Sequence, residues 1–392
     1  MSDVVTRDAG PAAGPGPGGA ARRVFRRILH SRLTFPLVCL LLVLLLNVIV
    51  TTATTGSPGP FFQIALTNGT LNGPLITILN RSSELVILAL GMTMTVSCSA
   101  GTDISVGAVM AFSGSVSIWL LGFGTLPQND YHVKAYVVPY VVGLLVAVLV
   151  GALCGVWNGF LVSRLRIQPM VATLILFTGG RGLAKVFADG QIDKVDVASY
   201  KWLGNFIQDS SGKNIVPVPT AIFIAGGMVL VTALVLRYTP LGMNIQAVGI
   251  NNKASRILGL KSARLILLAY VFCGVCAAIA GIIATSRIGG IDANNCGKLI
   301  ELDAILAVAL GGNSLAGGKF SLSGSVIGAI TIQALTTVLY SINVSADQLP
   351  FYKAIVVVII VVLQSPETRP MWERFKARWR RTAPSVTAGD AA

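Results

Sequence analysis

The chain has 392 residues, of which 54% are hydrophobic and only 12% charged, with a mean hydropathy of +0.75. Those proportions exclude an ordinary soluble globular protein. A formal net charge of +14 would suit a nucleic-acid binder, but the basic residues lie between apolar runs, so the implied surroundings are a lipid bilayer and not nucleic acid.

Residues 1–32 open the chain as a Gly- and Pro-rich, then basic, segment, ending in Arg22, Arg23, Arg26, Arg27 and Arg32. Its composition predicts disorder. The apolar run that follows is longer than a signal-peptide core and lacks a small-residue cleavage site, so it reads as a first span entered from the cytoplasm. About ten spans are expected, over 33–51, 74–97, 104–122, 135–162, 169–188, 218–236, 263–284, 299–311, 321–342 and 349–364. The segment 299–311 is short and carries Glu301 and Asp303, as a broken or tilted helix would. The predicted fold is therefore all-α: a polytopic membrane domain over 33–365, with broken or short helices around a central translocation pathway. A basic cytoplasmic tail, 366–392, completes it.

Most of the 30 Lys and Arg fall on one side of this arrangement. The other side holds only Lys134, Lys194, Lys201, Lys213, Arg287 and Lys298, while Arg81, Arg181, Lys185 and Lys353 lie in span ends. This asymmetry predicts that both termini are cytoplasmic. Cys273 and Cys276 have redox spacing, but they lie in a span. There Cys273, Ala277, Gly281 and Cys276, Ala280, Ala284 form small-residue stripes suited to close helix packing. The outer loop 188–217 mixes Asp189, Asp193, Asp196 and Asp209 with Lys194, Lys201, Lys213, Trp202 and Phe206, a composition compatible with a docking surface or with a solvated loop.

Two glycine-rich connections interrupt the apolar pattern, Gly101–Gly107 and Gly311–Phe320. The second is not a phosphate loop, because Asn313 and Phe320 stand where that motif needs glycine and a hydroxyl. Both read as helix breaks, with Asp103, Ser105, Asn313 and Ser314 as possible caps, and either line a pathway or form simple turns. Candidate pathway residues are Asn80, Glu84, Asp103, Asn158, Thr173, Arg181, Asn294, Asn295, Glu301 and Asp303, since ionisable groups in a membrane face partners or water. Arg81 and Glu84 are spaced to pair on one helix face. Glu301 and Asp303 are two apart, about 200° around a helix, and point different ways. With Asp292, Asn294 and Asn295 would sit at the mouth of that span. His30 and His132 have no ligand neighbourhood, and the sequence offers no nucleophile–base pair and no metal cluster.

Within a cytoplasmic segment, 237–262, the stretch Asn251–Leu260 has candidate N-caps in Asn251 and Asn252 and a left-handed terminator in Gly259. Ala254, Ile257 and Leu258 fall on one side of the short helix this predicts, with Lys253 and Arg256 towards the other. Such an element either meets a soluble partner or is a solvated loop.

Taken together, Gly91-Met-Thr-Met-Thr95, Thr102-Asp-Ile-Ser-Val-Gly107, Ala247-Val-Gly-Ile-Asn251 with Gly259, Glu301-Leu-Asp-Ala-Ile305 and Gly311-Gly-Asn-Ser-Leu-Ala-Gly-Gly318 resemble the permease subunits of bacterial ABC importers for ribose, xylose, galactose and related sugars. Ile78–Arg81, Trp157–Leu161, Ile167–Ile175, Gly179–Gly182, Ala188–Ile192 and Asp292–Asn295 are similar to the galactofuranose branch of that family. Thr102, where the family usually has Ile, and the polar Ser97-Cys98-Ser99 depart from its pattern. The resemblance implies a subunit of the inner membrane that is not an enzyme and carries no cofactor. It pairs with a second copy or a related chain and receives a monosaccharide from a periplasmic binding protein. It docks an ATPase, which holds ATP and magnesium, through Asn251, Asn252, Ala254, Arg256, Ile257, Leu258 and Gly259. Spans two, three, five and eight would line the pore. The rival is a proton-coupled secondary sugar transporter relaying protons through Glu84, Glu301 and Asp303, against which stand the missing membrane histidine and the capped helix.

Overall fold

A computed structural model describes residues 33–364 apart from 68, 123–124, 127–132, 135–138, 191, 196 and 209–213. Both tails, His30, His132, Asp196, Asp209 and Lys213 lie outside the described residues. The described chain opens with α1 (Thr34–Thr55), α2 (Gly59–Phe62) and a hairpin of β1 (Ala65–Thr67) and β2 (Thr70–Asn72). Next come α3 (Pro74–Ser99), α4 (Val106–Leu121), β3 (Thr125–Leu126), β4 (Val133–Lys134), α5 (Tyr140–Ser163) and α6 (Pro169–Phe187). β5 (Ile192–Val195), α7 (Ala198–Lys201), α8 (Thr220–Tyr238), α9 (Leu241–Ile250) and α10 (Asn252–Ile257) follow. The described chain closes with α11 (Ser262–Ile288), β6 (Gly290–Asp292), α12 (Ile300–Leu310), α13 (Leu322–Ser341) and α14 (Leu349–Gln364).

Helices dominate because a backbone in lipid must satisfy its own polar groups. Seven of them, α1, α3, α5, α6, α8, α11 and α13, are long and apolar enough to cross a membrane. The shorter α4, α12 and α14 complete the expected set of about ten. The eleven residues of α12 rise only about 16 Å, so the eighth span is indeed short. Several boundaries differ from expectation: α1 and α11 each run four residues further, to Thr55 and Ile288, while α5 starts at Tyr140 and α8 at Thr220, each directly behind a proline. Proline has no N–H to give a helix interior and so marks the start.

The fold is not purely helical. β3, β4, β5 and β6 form a small mixed sheet at the end of the molecule where α11 emerges, with β4 and β5 parallel and β5 and β6 antiparallel. Part of the loop expected over 188–217 is thereby folded. Its Tyr200 is fully buried, with its hydroxyl bonded to Ser117 on α4 at 2.9 Å and to Thr285 on α11 at 2.5 Å.

α11 is the hub, packed against α3, α4 and α5. The expected small-residue stripes pack against two neighbours, α3 and α4, while the seam with α5 uses other residues of α11. Gly91 of α3 lies against Cys273 and Cys276, and Gly281 lies against the Met110 backbone of α4. On α5, Gly151, Gly155 and Gly159 descend one turn at a time, and a methyl group on Gly151 or Gly155 would collide with the α11 backbone at Gly274 or Tyr270. Close backbone approach through glycine supplies the dispersion contacts that hold helices together where burial from water cannot.

Candidate functional site

The predicted polar residues form two adjoining networks, one around the first glycine-rich break and one towards the sheet end, which meet where Gly107 lies against Glu301. The first glycine-rich break carries Asp103, which is almost wholly buried. Its Oδ1 accepts from the Ser105 N–H at 2.9 Å and the Ser105 hydroxyl at 2.6 Å. Asn158 of α5 donates to that same hydroxyl at 2.8 Å, and Thr173 of α6 accepts from the Ile104 N–H at 3.2 Å. Asp103, Asn158 and Thr173 are thus brought together as a brace around the break, where the chain has lost its helical hydrogen bonds. Asn158 Oδ1 is buried without a partner, which leaves one acceptor in the brace free.

The second break is held by Asn313. Its amide donates to the Val308 carbonyl at 3.1 Å and the Ser325 hydroxyl at 2.8 Å, and its oxygen accepts from the Ser321 N–H at 2.5 Å. Ser325 continues to Thr93 on α3 at 2.6 Å. The capping expected of the breaks is corrected here. Ser105 occupies the N-cap of α4 without a side-chain capping bond, and Ser321 rather than Asn313 or Ser314 caps α13 through the Gly324 N–H. Asn313 lies too far back to start the helix, so it closes the loop instead. The second break packs on the last turn of α3, with the Gly318 N–H donating to the Ser97 carbonyl at 3.0 Å.

Towards the sheet end, three carboxylates, of which Glu301 is the buried one, each face a cation. Arg287 of α11 approaches Glu84 at 3.0 Å and donates to the backbone and side-chain oxygens of Asn80. The expected Arg81–Glu84 pair does not form: Arg81 is exposed, while Arg287 reaches into the site from another helix. Glu301 and Asp303 diverge as their spacing requires. Asp303 accepts from Lys353 of α14 at 2.7 Å. Glu301, nearly buried, lies 3.9 Å from Arg181, and its Oε2 has no hydrogen-bond partner. Arg181 instead donates to the Cys296 and Gly297 carbonyls at 3.3 and 2.8 Å. Gly107 admits this arrangement, since a methyl group there would collide with Glu301 Oε2 and the Gly297 carbonyl. Gly297 itself has φ of +63°, the left-handed region that favours glycine. Asn294 and Asn295 are exposed on a turn around Asp292, to which both backbone N–H groups donate. Sequence reasoning missed Arg287, Lys353 and Tyr200 as members of these networks. An unpaired cation near the membrane is itself a signal that an acid awaits it.

The segment 237–262 is two helices, α9 and α10, of which only the second was expected. Asn251 caps α10 by accepting from the Ala254 N–H at 3.0 Å, whereas Asn252 lies within the helix. At the other end, Gly259 has φ of +85°, its N–H donates to the Arg256 carbonyl, and the Leu260 N–H donates to the Ser255 carbonyl. These paired bonds form a Schellman motif. Ser255 faces inward, whereas Ile257 is 87% and Leu258 80% exposed.

These features define a class: a multi-pass membrane protein with two braced helix breaks and a rigid, apolar-tipped helix projecting from one end. The profile of the family described as branched-chain amino acid transport system / permease component matches residues 75–364. Galactofuranose transporter permease protein YtfT of Escherichia coli is 41% identical over 84% of this chain and 88% of its own. Fructose import permease protein FruF of Bifidobacterium longum is 36% identical over 90% and 93%, and ribose import permease protein RbsC of Escherichia coli 31% over 74% and 85%. No solved structure matches significantly. The chain belongs to this permease family, as the membrane-spanning subunit of an ABC importer. It is a transport component and not an enzyme, and the proton-coupled reading finds no support in these relatives.

Proposed function

We propose that this permease conducts a monosaccharide of the galactofuranose, ribose or fructose type across the bacterial cytoplasmic membrane, with both termini inside. Import runs on ATP and magnesium bound by a separate ATPase that docks on α10, and a periplasmic binding protein delivers the sugar from the sheet end. A second permease, identical or related, completes the pathway. The sugar class rests on the names of the relatives. The coupling rests chiefly on one observation, the exposure of Ile257 and Leu258 on a helix fixed at both ends. A membrane protein has little use for two large apolar side chains at its aqueous edge unless a partner buries them. Glu301 supplies the pathway's polar contact, because its unpartnered oxygen is free to accept from a hydroxyl. Asn294 and Asn295 stand exposed at the entrance.

The test is reconstitution of the permease with its ATPase and binding protein in vesicles. Sugar-stimulated ATP hydrolysis and uptake without a proton gradient are expected, and Ile257→Asp should abolish the stimulation while insertion stays normal. Uptake driven by a proton gradient in the absence of ATP would overturn the reading.

A further inference from the structure

Beside α10, an open cavity of about 260 Å³ is lined by Arg164, Arg256, Lys261, Ser262 and Arg264, among others. It gathers cations from three elements: the C-cap of α5, α10, and the start of α11. Among the described residues no carboxylate pairs with any of them. Four like charges around one space repel each other unless an anion enters. A second observation points the same way. Ser262, at the first turn of the 27-residue α11, is buried, and its hydroxyl has no hydrogen-bond partner. No side chain caps this helix, so the partial positive charge of its N-terminus adds to that of the cations.

The membrane helices that run from the cavity indicate the source of the anion. One turn from Arg164 along α5 stands Phe160, and one turn from Arg264 along α11 stands Leu268, both large, apolar and exposed. Cations at the ends of two membrane helices, continued by apolar side chains along the same helices, match a phosphodiester with acyl chains attached. A free phosphate would make no use of Phe160 and Leu268. We infer that this cavity binds the headgroup phosphate of an anionic phospholipid, with its acyl chains along Phe160 and Leu268. Because Arg256 belongs to α10 while Arg164 and Arg264 belong to membrane helices, the bound lipid fastens α10 to the bundle and makes transport sensitive to membrane charge. The placement at a bilayer surface rests on the permease reading, but lipid binding by the isolated chain can be measured without any transport.

The experiment is native mass spectrometry of the full-length permease in detergent, titrated with phosphatidylglycerol, phosphatidylcholine of the same acyl chains, or inorganic phosphate. Wild type should retain phosphatidylglycerol in preference to phosphatidylcholine. Arg164→Ala/Arg264→Ala should weaken retention about tenfold or more, whereas Arg164→Lys/Arg264→Lys should keep most of it. Arg237→Ala/Lys319→Ala, which removes the same charge elsewhere, should match wild type. Equal phosphatidylglycerol retention in the alanine pair and wild type would overturn the proposal. So would displacement of the lipid by millimolar inorganic phosphate, which would show a site for a free anion. Loss of ATPase association in the alanine pair with lipid retention unchanged would assign the cations to a protein interface and overturn it equally. A monodisperse elution profile of the lysine pair confirms that the fold survives change at these positions.

Discussion

The sheet end and the α10 end of this molecule treat charge in opposite ways. At the sheet end, Glu84, Glu301 and Asp303 face Arg287, Arg181 and Lys353 across helix boundaries. At the α10 end, Arg164, Arg256, Lys261 and Arg264 face no acid among the described residues, and Ile257 and Leu258 stand in the open. Charges that are matched internally tie helices together. Charges and apolar side chains left unmatched mark where the chain meets something other than itself.

Removing Arg287 breaks that contrast most severely. Arg287→Ala leaves Glu84, whose side chain is only 14% exposed, without its salt-bridge partner, with an expected loss of about 3–5 kcal/mol of stability. Thermal unfolding in detergent would register this, and Glu84→Gln/Arg287→Met should recover much of it. If Arg287→Ala unfolds like wild type, the pair is not a staple. Ile257→Asp probes the other end. It should leave the unfolding temperature unchanged, because the side chain touches almost nothing, yet weaken ATPase binding by about 2–4 kcal/mol, the scale of a buried aliphatic truncation. Calorimetric titration with the ATPase would measure it. Glu301→Gln sharpens the contrast within the sheet end. Its oxygen is loosely held where Asp303 is tightly paired, so uptake should change while assembly stays intact, and Asp303→Asn should lower stability by about 1–3 kcal/mol. The smallest effect belongs to the cap. Asn251→Ala should destabilise α10 by about 1 kcal/mol, visible as faster amide exchange at Ala254 and little else.

Local features were legible in the sequence and distant ones were not. The spans, the Asn251 cap, the Gly259 terminator and the divergence of Glu301 from Asp303 all follow from period, side-chain chemistry and helical angle over a few residues. The partner of Glu84 lies more than half the chain away, so the near neighbour Arg81 stood in for Arg287. Asn313 was read as a cap because loop closure across to Ser321 depends on how the chain turns back, which composition does not encode. Tyr200 reads as one more aromatic in a loop, and only the fold carries it down between Ser117 and Thr285.

The seam between α5 and α11 limits how this chain can vary. Where a large side chain meets a large one, growth on one side can be offset by shrinkage on the other. Gly151 and Gly274 meet with neither able to shrink: a methyl group on either would strike the carbonyl of the other. No second substitution at that contact can rescue the first, so relief must come from moving a whole helix, with the Asn158 brace and the Tyr200 contact on the same two helices displaced along with it. Variation at these two positions is therefore constrained by backbone geometry, and a pairwise exchange of residues offers no neutral path around it.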